Sequence, residues 1–181
     1  MNLYAYVGND PVNGTDPTGL CRNSGDCHED GPHTRPDPNR LPWKKPATPK
    51  VDVQGGSASE RAAVRQATDT VLTTTQRGKE LASVAPDQPI KIEINSNGIT
   101  GVDHNSSGSP QFGTIHVDPN QSFAVKTTNG LEEAPLTVVM GHELGHERTG
   151  QKDDGPGKMN NVIKNENPIR QDLGEPPRTE Y

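Results

Sequence analysis

Two histidines four residues apart, with a glutamate directly after the first, are the residues of this chain best placed to do chemistry. They are His142, Glu143 and His146, in the run Val139-Met140-Gly141-His142-Glu143-Leu144-Gly145-His146-Glu147. On a helix, residues four apart share a face, so both imidazoles can reach one metal ion. Glu143 lies beside the first of them, where its carboxylate can act as general base on a water and later pass the proton to a leaving amine. The metal most often held at this spacing is zinc, which polarises a carbonyl and lowers the pKa of its water to roughly 7.

Such a motif works only on a helix that something holds in place. Leu136, Val139, Met140 and Leu144 recur at helical spacing and Val138 adds a second apolar side, which predicts a largely buried helix. Two histidines and a glutamate in a buried helix are costly unless something satisfies them, and a metal would. Pro135 suits the first turn and Gly150 a C-terminal stop.

The elements around this helix follow in chain order. Ala62, Ala63, Val64, Ala67, Val71 and Leu72 suit an amphipathic helix capped by Ser57 or Ser59, and Pro86 and Pro89 end any continuation through Leu81 and Val84. Ile90-Lys91-Ile92-Glu93-Ile94 alternates strictly, as a half-buried strand does. A polar, Gly-rich loop runs over 95–110. Gly113 to Val117 reads as a second strand and Phe123-Ala124-Val125 as a short third. This order predicts an α+β fold and resembles the small zincin architecture, a mixed sheet packed on the His-Glu-x-x-His helix. That resemblance implies an edge strand pairing with extended substrate, and Gly113 to Val117 is the candidate.

A catalytic zinc keeps three protein ligands and one open position. Glu166 follows His146 by 20 residues, a separation resembling that of thermolysin-like gluzincins, and it is the expected third ligand. Its rivals are Asp153 and Asp154 in the Gly-rich turn after the motif, where Gly150-x-x-Asp153 resembles an aspzincin element. The C-terminal stretch also carries Glu166-Asn167-x-x-Arg170 and Pro177-Arg178-x-x-Tyr181. Together with Val139-x-Gly141-His142-Glu143-Leu144-Gly145-His146, it resembles the NleD-like effector metallopeptidases of bacteria, over roughly the last quarter of the chain. Physically, the Tyr181 phenol is placed to donate to an oxyanion as charge develops there. Arg170 or Arg178 can hold the third-ligand carboxylate or the substrate backbone through paired donors.

Composition bounds the rest. The chain has 181 residues, of which 28% are hydrophobic and 3% aromatic, with 19 Gly and 17 Pro, so it is short of core material and part of it should lack fixed structure. A net charge of −6 argues against a nucleic-acid groove. No apolar run approaches the roughly 20 residues of a membrane span, and there is no secretory signal. Cys21 and Cys27 are the only cysteines, and Cys-x5-Cys fits no common zinc pattern. Six prolines between Cys21 and Ser57 mark a disordered or extended linker, which also holds the lone Trp43. The organisation expected is therefore 1–20, a linker over 21–57, and a catalytic domain over 58–181.

Residues 1–20 read as a short aromatic strand followed by turns. Tyr4-x-Tyr6, Asn9-Asp10-Pro11 and Asp16-Pro17-x-Gly19-Leu20 closely resemble the end of the core in Rhs (YD-repeat) proteins. In that family a shell ends in this signature and a variable toxic tip follows. The resemblance implies a cut between Leu20 and Cys21, delivery into a target cell by a contact-dependent machine such as type VI secretion, a parent Rhs shell and a cognate immunity protein. The function expected is a zinc-dependent endopeptidase toxin acting on a protein substrate. Two alternatives stand beside it: a nuclease tip centred on His104, His116 and His142, and a non-catalytic binding module with a structural zinc closed by four protein ligands.

Overall fold

The structure is a computed structural model, and it describes residues 48–103 and 112–181. The Rhs-like signature, Cys21, Cys27, Trp43 and His104 lie outside the described residues. Those that are described belong to one unit, Lys44–Tyr181.

The chain enters as strand β1 (Val51–Gly55) and continues as helices α1 (Ala58–Thr74) and α2 (Gln76–Val84). Strands β2 (Ile90–Ile94), β3 (Gly101–Val102) and β4 (Thr114–Val117) follow, then a hairpin of β5 (Ala124–Thr127) and β6 (Gly130–Glu133). The motif helix is α3 (Leu136–Thr149), and a return segment ends in α4 (Asn167–Leu173). Among the described residues no helix is long and apolar enough to cross a membrane.

The main sheet has the order β1-β2-β4-β3, with β1, β2 and β4 parallel and β3 antiparallel at the edge. Val51 pairs with Ile90, Val53 with Ile92, Ile92 with Ile115 and Ile94 with Val117. These side chains share one face and meet Val64, Val71 and Leu72 of α1, Leu81 of α2, and Met140 and Leu144 of α3 in a single apolar core. Full burial of each is worth roughly 1.5–3 kcal/mol, and through Met140 and Leu144 that packing fixes the motif helix against the sheet. The mixed α+β architecture expected from the residue pattern is the one observed.

Three details differ from the sequence reading. First, Val51–Gly55, placed in the linker because prolines crowd the residues before it, is a sheet strand. Its alternating Val51 and Val53 are buried, so the ordered unit begins before residue 58. Second, Thr114–Val117 is an internal strand, and the edge is β3, inside the stretch expected to be loop. Third, α1 and α2 are separate helices. The buried Thr75 ends one by donating its hydroxyl to the Val71 carbonyl at 2.8 Å, and caps the next by accepting from the Gly78 amide at 2.9 Å. At the other end of the unit, Arg148 is fully buried. It donates to the Ala85 and Gln88 carbonyls, at 3.2 and 2.9 Å, tying the end of α3 to the turn before β2.

Candidate metal centre

Helix α3 is buried along Val138–Arg148, and His142 and His146 project from one face. Their Nε2 atoms lie 3.0 Å apart. Gly150 closes the helix in the left-handed conformation at φ 64°, which favours glycine, and the chain doubles back. That reversal brings Asp153 over the same face, its Oδ2 3.4 Å from His142 Nε2 and 3.1 Å from His146 Nε2. Three ligand-type atoms therefore converge, from His142, His146 and Asp153.

Glu166, the expected third ligand, sits elsewhere. Its Oε2 accepts from His142 Nδ1 at 2.8 Å, on the far side of the ring from the cluster. Arg170 Nε donates to Glu166 Oε1 at 2.7 Å and Arg178 Nη1 to Oε2 at 3.3 Å. Both arginines singled out in the sequence thus hold this carboxylate. Asp154 faces away and accepts from Asn160 Nδ2 at 2.7 Å.

The segment that delivers Glu166 is unusual. Residues Val162–Glu166 form one π-helical turn, with the Asn167 amide reaching back to the Val162 carbonyl. Pro168 follows at the start of α4 and has no N–H for the Lys164 carbonyl, so the ordinary helical ladder cannot continue there. The segment approaches α3 where α3 has no side chains. A Cβ on Gly145 would stand 2.5 Å from Asn161 Oδ1 and 2.7 Å from Asn165 Cβ, and one on Gly141 3.0 Å from Ile169 Cδ1. Asn161 uses that proximity: its Nδ2 donates to the His142 carbonyl at 3.1 Å and lies 3.2 Å from His146 Nε2. Asn165 Nδ2 donates to Asn161 Oδ1 at 2.7 Å, and Arg77 of α2 holds Asn165 through two bonds of 2.9 and 2.8 Å. The sequence reading did not single out these asparagines. Their i,i+4 spacing opposite two glycines of the same period was the available signal.

The hydrogen bonds fix the histidine tautomers. Nδ1 of His142 faces a carboxylate and Nδ1 of His146 faces the Gln151 carbonyl, so each Nδ1 carries the proton. In their neutral forms the two rings then aim Nε2 lone pairs at each other, with the Asp153 carboxylate beside them. That arrangement is repulsive unless positive charge lies between them. Burial pulls the His142 pKa down, yet hydrogen bonds to Asp153 and Glu166 and the nearby Glu143 charge raise it to about 9. Burial likewise pushes the Asp153 carboxyl up, but hydrogen bonds with His142, His146 and Tyr181 hold it well below the usual carboxylate range. Tetrahedral zinc with bonds of about 2.0–2.2 Å sets its ligand atoms roughly 3.3–3.6 Å apart. The separations of 3.0, 3.1 and 3.4 Å fit that demand with little adjustment.

Glu143 is buried beside the cluster, and its Oε2 has no hydrogen-bond partner. Burial raises its pKa, only partly countered by the two histidines. Tyr181 Oη donates to Asp153 Oδ2 at 2.5 Å, so the phenol stands at the ligand atoms themselves. Burial and the Asp153 bond push its pKa up, which keeps it a proton donor. Its position is set by the tail. Asn167 clamps both backbone groups of Arg178, at 3.0 and 2.8 Å, and the tail bridges to β5 through Thr128 N to the Pro177 carbonyl at 3.1 Å and Thr179 N to the Lys126 carbonyl at 2.8 Å. The Arg178 guanidinium also lies over the Tyr181 ring, 4.5 Å from its centre.

The structure thus brings His142, Glu143, His146, Glu166 and Tyr181 together with Asp153, the rival third ligand, beside the two Nε2 atoms. His116 is not among them. It lies on the sheet face away from α3, bonded to Asp103 at 2.8 Å.

In fold, the chain is similar to a zinc metalloprotease effector. One match is the crystal structure of Salmonella GtgA, with a TM-score of 0.55 and 17% identity, covering 73% of this chain and 79% of that one. At that identity the likeness concerns the fold. No family model and no curated protein matches the chain.

Proposed function

We propose that this chain is a zinc-dependent peptidase whose metal is held by His142, His146 and Asp153. The observation that carries this reading is the convergence of two histidine Nε2 lone pairs and a carboxylate oxygen within 3.0–3.4 Å, next to a buried glutamate with an uncommitted oxygen. The fold shared with a zinc metalloprotease effector supports it. Zinc bound there supplies Lewis acidity, making a water more acidic and a carbonyl more electrophilic.

The chain's own residues do the rest. Glu143, kept basic by burial, takes the proton from the attacking water as its oxygen bonds to the carbonyl carbon, and returns that proton to the amine as the C–N bond breaks. Tyr181 donates to the carbonyl oxygen as it gains charge. Glu166 fixes the His142 ring and raises its basicity, and Arg170 and Arg178 fix Glu166 in turn. Strand β3, the last of the sheet and lining a hollow with His142, Glu143 and His146, is placed to pair with an extended peptide.

The wider reading follows the sequence resemblances: a toxin tip of an Rhs-type effector, delivered by a contact-dependent system into a target cell and neutralised by an immunity protein. The test of the core proposal is zinc content by mass spectrometry with competition against a chromogenic chelator. One zinc per chain is expected. Asp153→Ala should lose it, whereas Glu166→Gln should weaken it by about 10–100-fold. Glu143→Gln should keep zinc and lose cleavage of protein substrates. A protein that takes up no zinc when supplied with it, or an Asp153→Ala variant that binds it undiminished, would overturn the assignment.

A further inference from the structure

An asparagine amide has two ends of nearly the same shape, one accepting and one donating, so its direction is set by its partners. Two such amides lie in series behind the histidine pair, and both ends of the series are unambiguous. At the outer end, Arg77 Nε and Nη2 donate to Asn165 Oδ1 at 2.9 and 2.8 Å. A guanidinium has no acceptor, so Asn165 must turn its oxygen toward α2 and its Nδ2 inward. That Nδ2 donates to Asn161 Oδ1 at 2.7 Å. At the inner end, Asn161 Nδ2 donates at 3.1 Å to the His142 carbonyl, which can only accept, and stands 3.2 Å from His146 Nε2. Arg77 and the carbonyl therefore demand the same direction. The bond between the amides crosses α3 at Gly145, where a Cβ would lie 2.5 Å from Asn161 Oδ1 and 2.8 Å from Asn165 Nδ2. Both asparagines are buried, so bulk water does not compete for either amide. On its exposed side Arg77 Nη1 donates to Glu80 at 2.7 Å.

We propose that Arg77 is a positioning residue for the His142–His146 pair, acting through Asn165 and Asn161. The proposal rests on the zinc reading above and adds a residue of α2 to the machinery of that site. The inner bond ties the return segment to α3 at His142, the residue whose ring Glu166 of the same segment must meet. Arg77 thereby sets how the carboxylate and the imidazole stand to each other. The end of Asn161 that faces the pair carries no lone pair for an ion, so the amide flanks the two rings without joining them as a ligand. Turned over, it would meet the His142 carbonyl acceptor to acceptor and release it. A lysine at position 77 would keep the direction, because an ammonium also only donates, whereas a methionine would not.

The test compares the unaltered protein with Arg77→Met, which removes every donor, with Arg77→Lys, and with Glu80→Ala, which breaks the outer ion pair and leaves the relay. In zinc-free, nitrogen-labelled protein, NMR follows solvent exchange of the Asn161 and Asn165 side-chain amide protons and of the His142 Nδ1 proton. These should exchange about 10-fold faster in Arg77→Met and at the unaltered rate in the other two. Zinc affinity, measured by competition with a chromogenic chelator, should fall about 10-fold in Arg77→Met and stay within about 3-fold in Arg77→Lys and Glu80→Ala. Should Arg77→Met fail to fold, Arg77→Gln, which can face Asn165 with either end, carries the comparison with the same expected sign. Undiminished zinc affinity and unchanged exchange without the guanidinium, or an Arg77→Lys protein as impaired as Arg77→Met, would overturn the proposal. A protein that takes up no zinc yet shows these exchange differences would overturn the zinc reading and leave the lock on the histidine pair standing.

Discussion

At the residue scale, the division of labour between two acids is the main finding. Asp153 and Glu166 were both candidates for one role, and they take two: one faces the Nε2 atoms and the other holds an Nδ1. Sequence separation alone could not assign them. Which acid reaches which nitrogen depends on the reversal at Gly150 and the π turn before Pro168, and neither leaves a mark in ligand spacing. His142, Glu143 and His146 were legible because their geometry is local to one helix. Tyr181 lies at the site and donates to Asp153, a bond that leaves no mark in the sequence. Removing only its hydroxyl makes a clean test. In Tyr181→Phe, peptidase kcat should fall by about 10²–10³ with KM little changed, while zinc content measured alongside stays at the level of the unaltered protein.

At the element scale, α3 and the return segment form one device. Glycine inside a helix normally costs about 1 kcal/mol relative to alanine, so on propensity alone Gly145→Ala would stabilise the protein. The contacts argue for the opposite sign, because the added methyl collides with Asn161 and Asn165. A loss of about 1–3 kcal/mol is expected from the overpacking, read as a lower denaturant midpoint with an unchanged slope. A raised midpoint would show that the close approach is not limiting. Helix α1 and strand β2 were readable from their periods of 3.6 and 2 because each buries one face. Strand β1 carries the same alternation but was masked by the prolines before it, and the two-residue β3 is too short to have a period at all.

At the scale of the whole molecule, the sequence composition signalled a chain with little core, and the described unit does rest on one modest cluster of aliphatic side chains. The candidate metal centre joins α3 to the turn at 151–153 and, through Tyr181, to the tail that bridges β5. If zinc is held there as proposed, it should stabilise the fold. Free zinc at a hundredfold above its Kd contributes about 2.7 kcal/mol. Chelation should then lower the melting temperature by roughly 5–10 °C, measured by calorimetry with and without a chelator. An unchanged Tm would mean that the centre and the fold are energetically independent. The missing side chain at Gly145 has a consequence for descent as well as for packing. Any relative with a larger residue there must hold its return segment farther off, and the carboxylate that grips His142 would then fall short. Positions 145, 161, 165 and 166 should accordingly change together or not at all across related sequences, as one inherited unit.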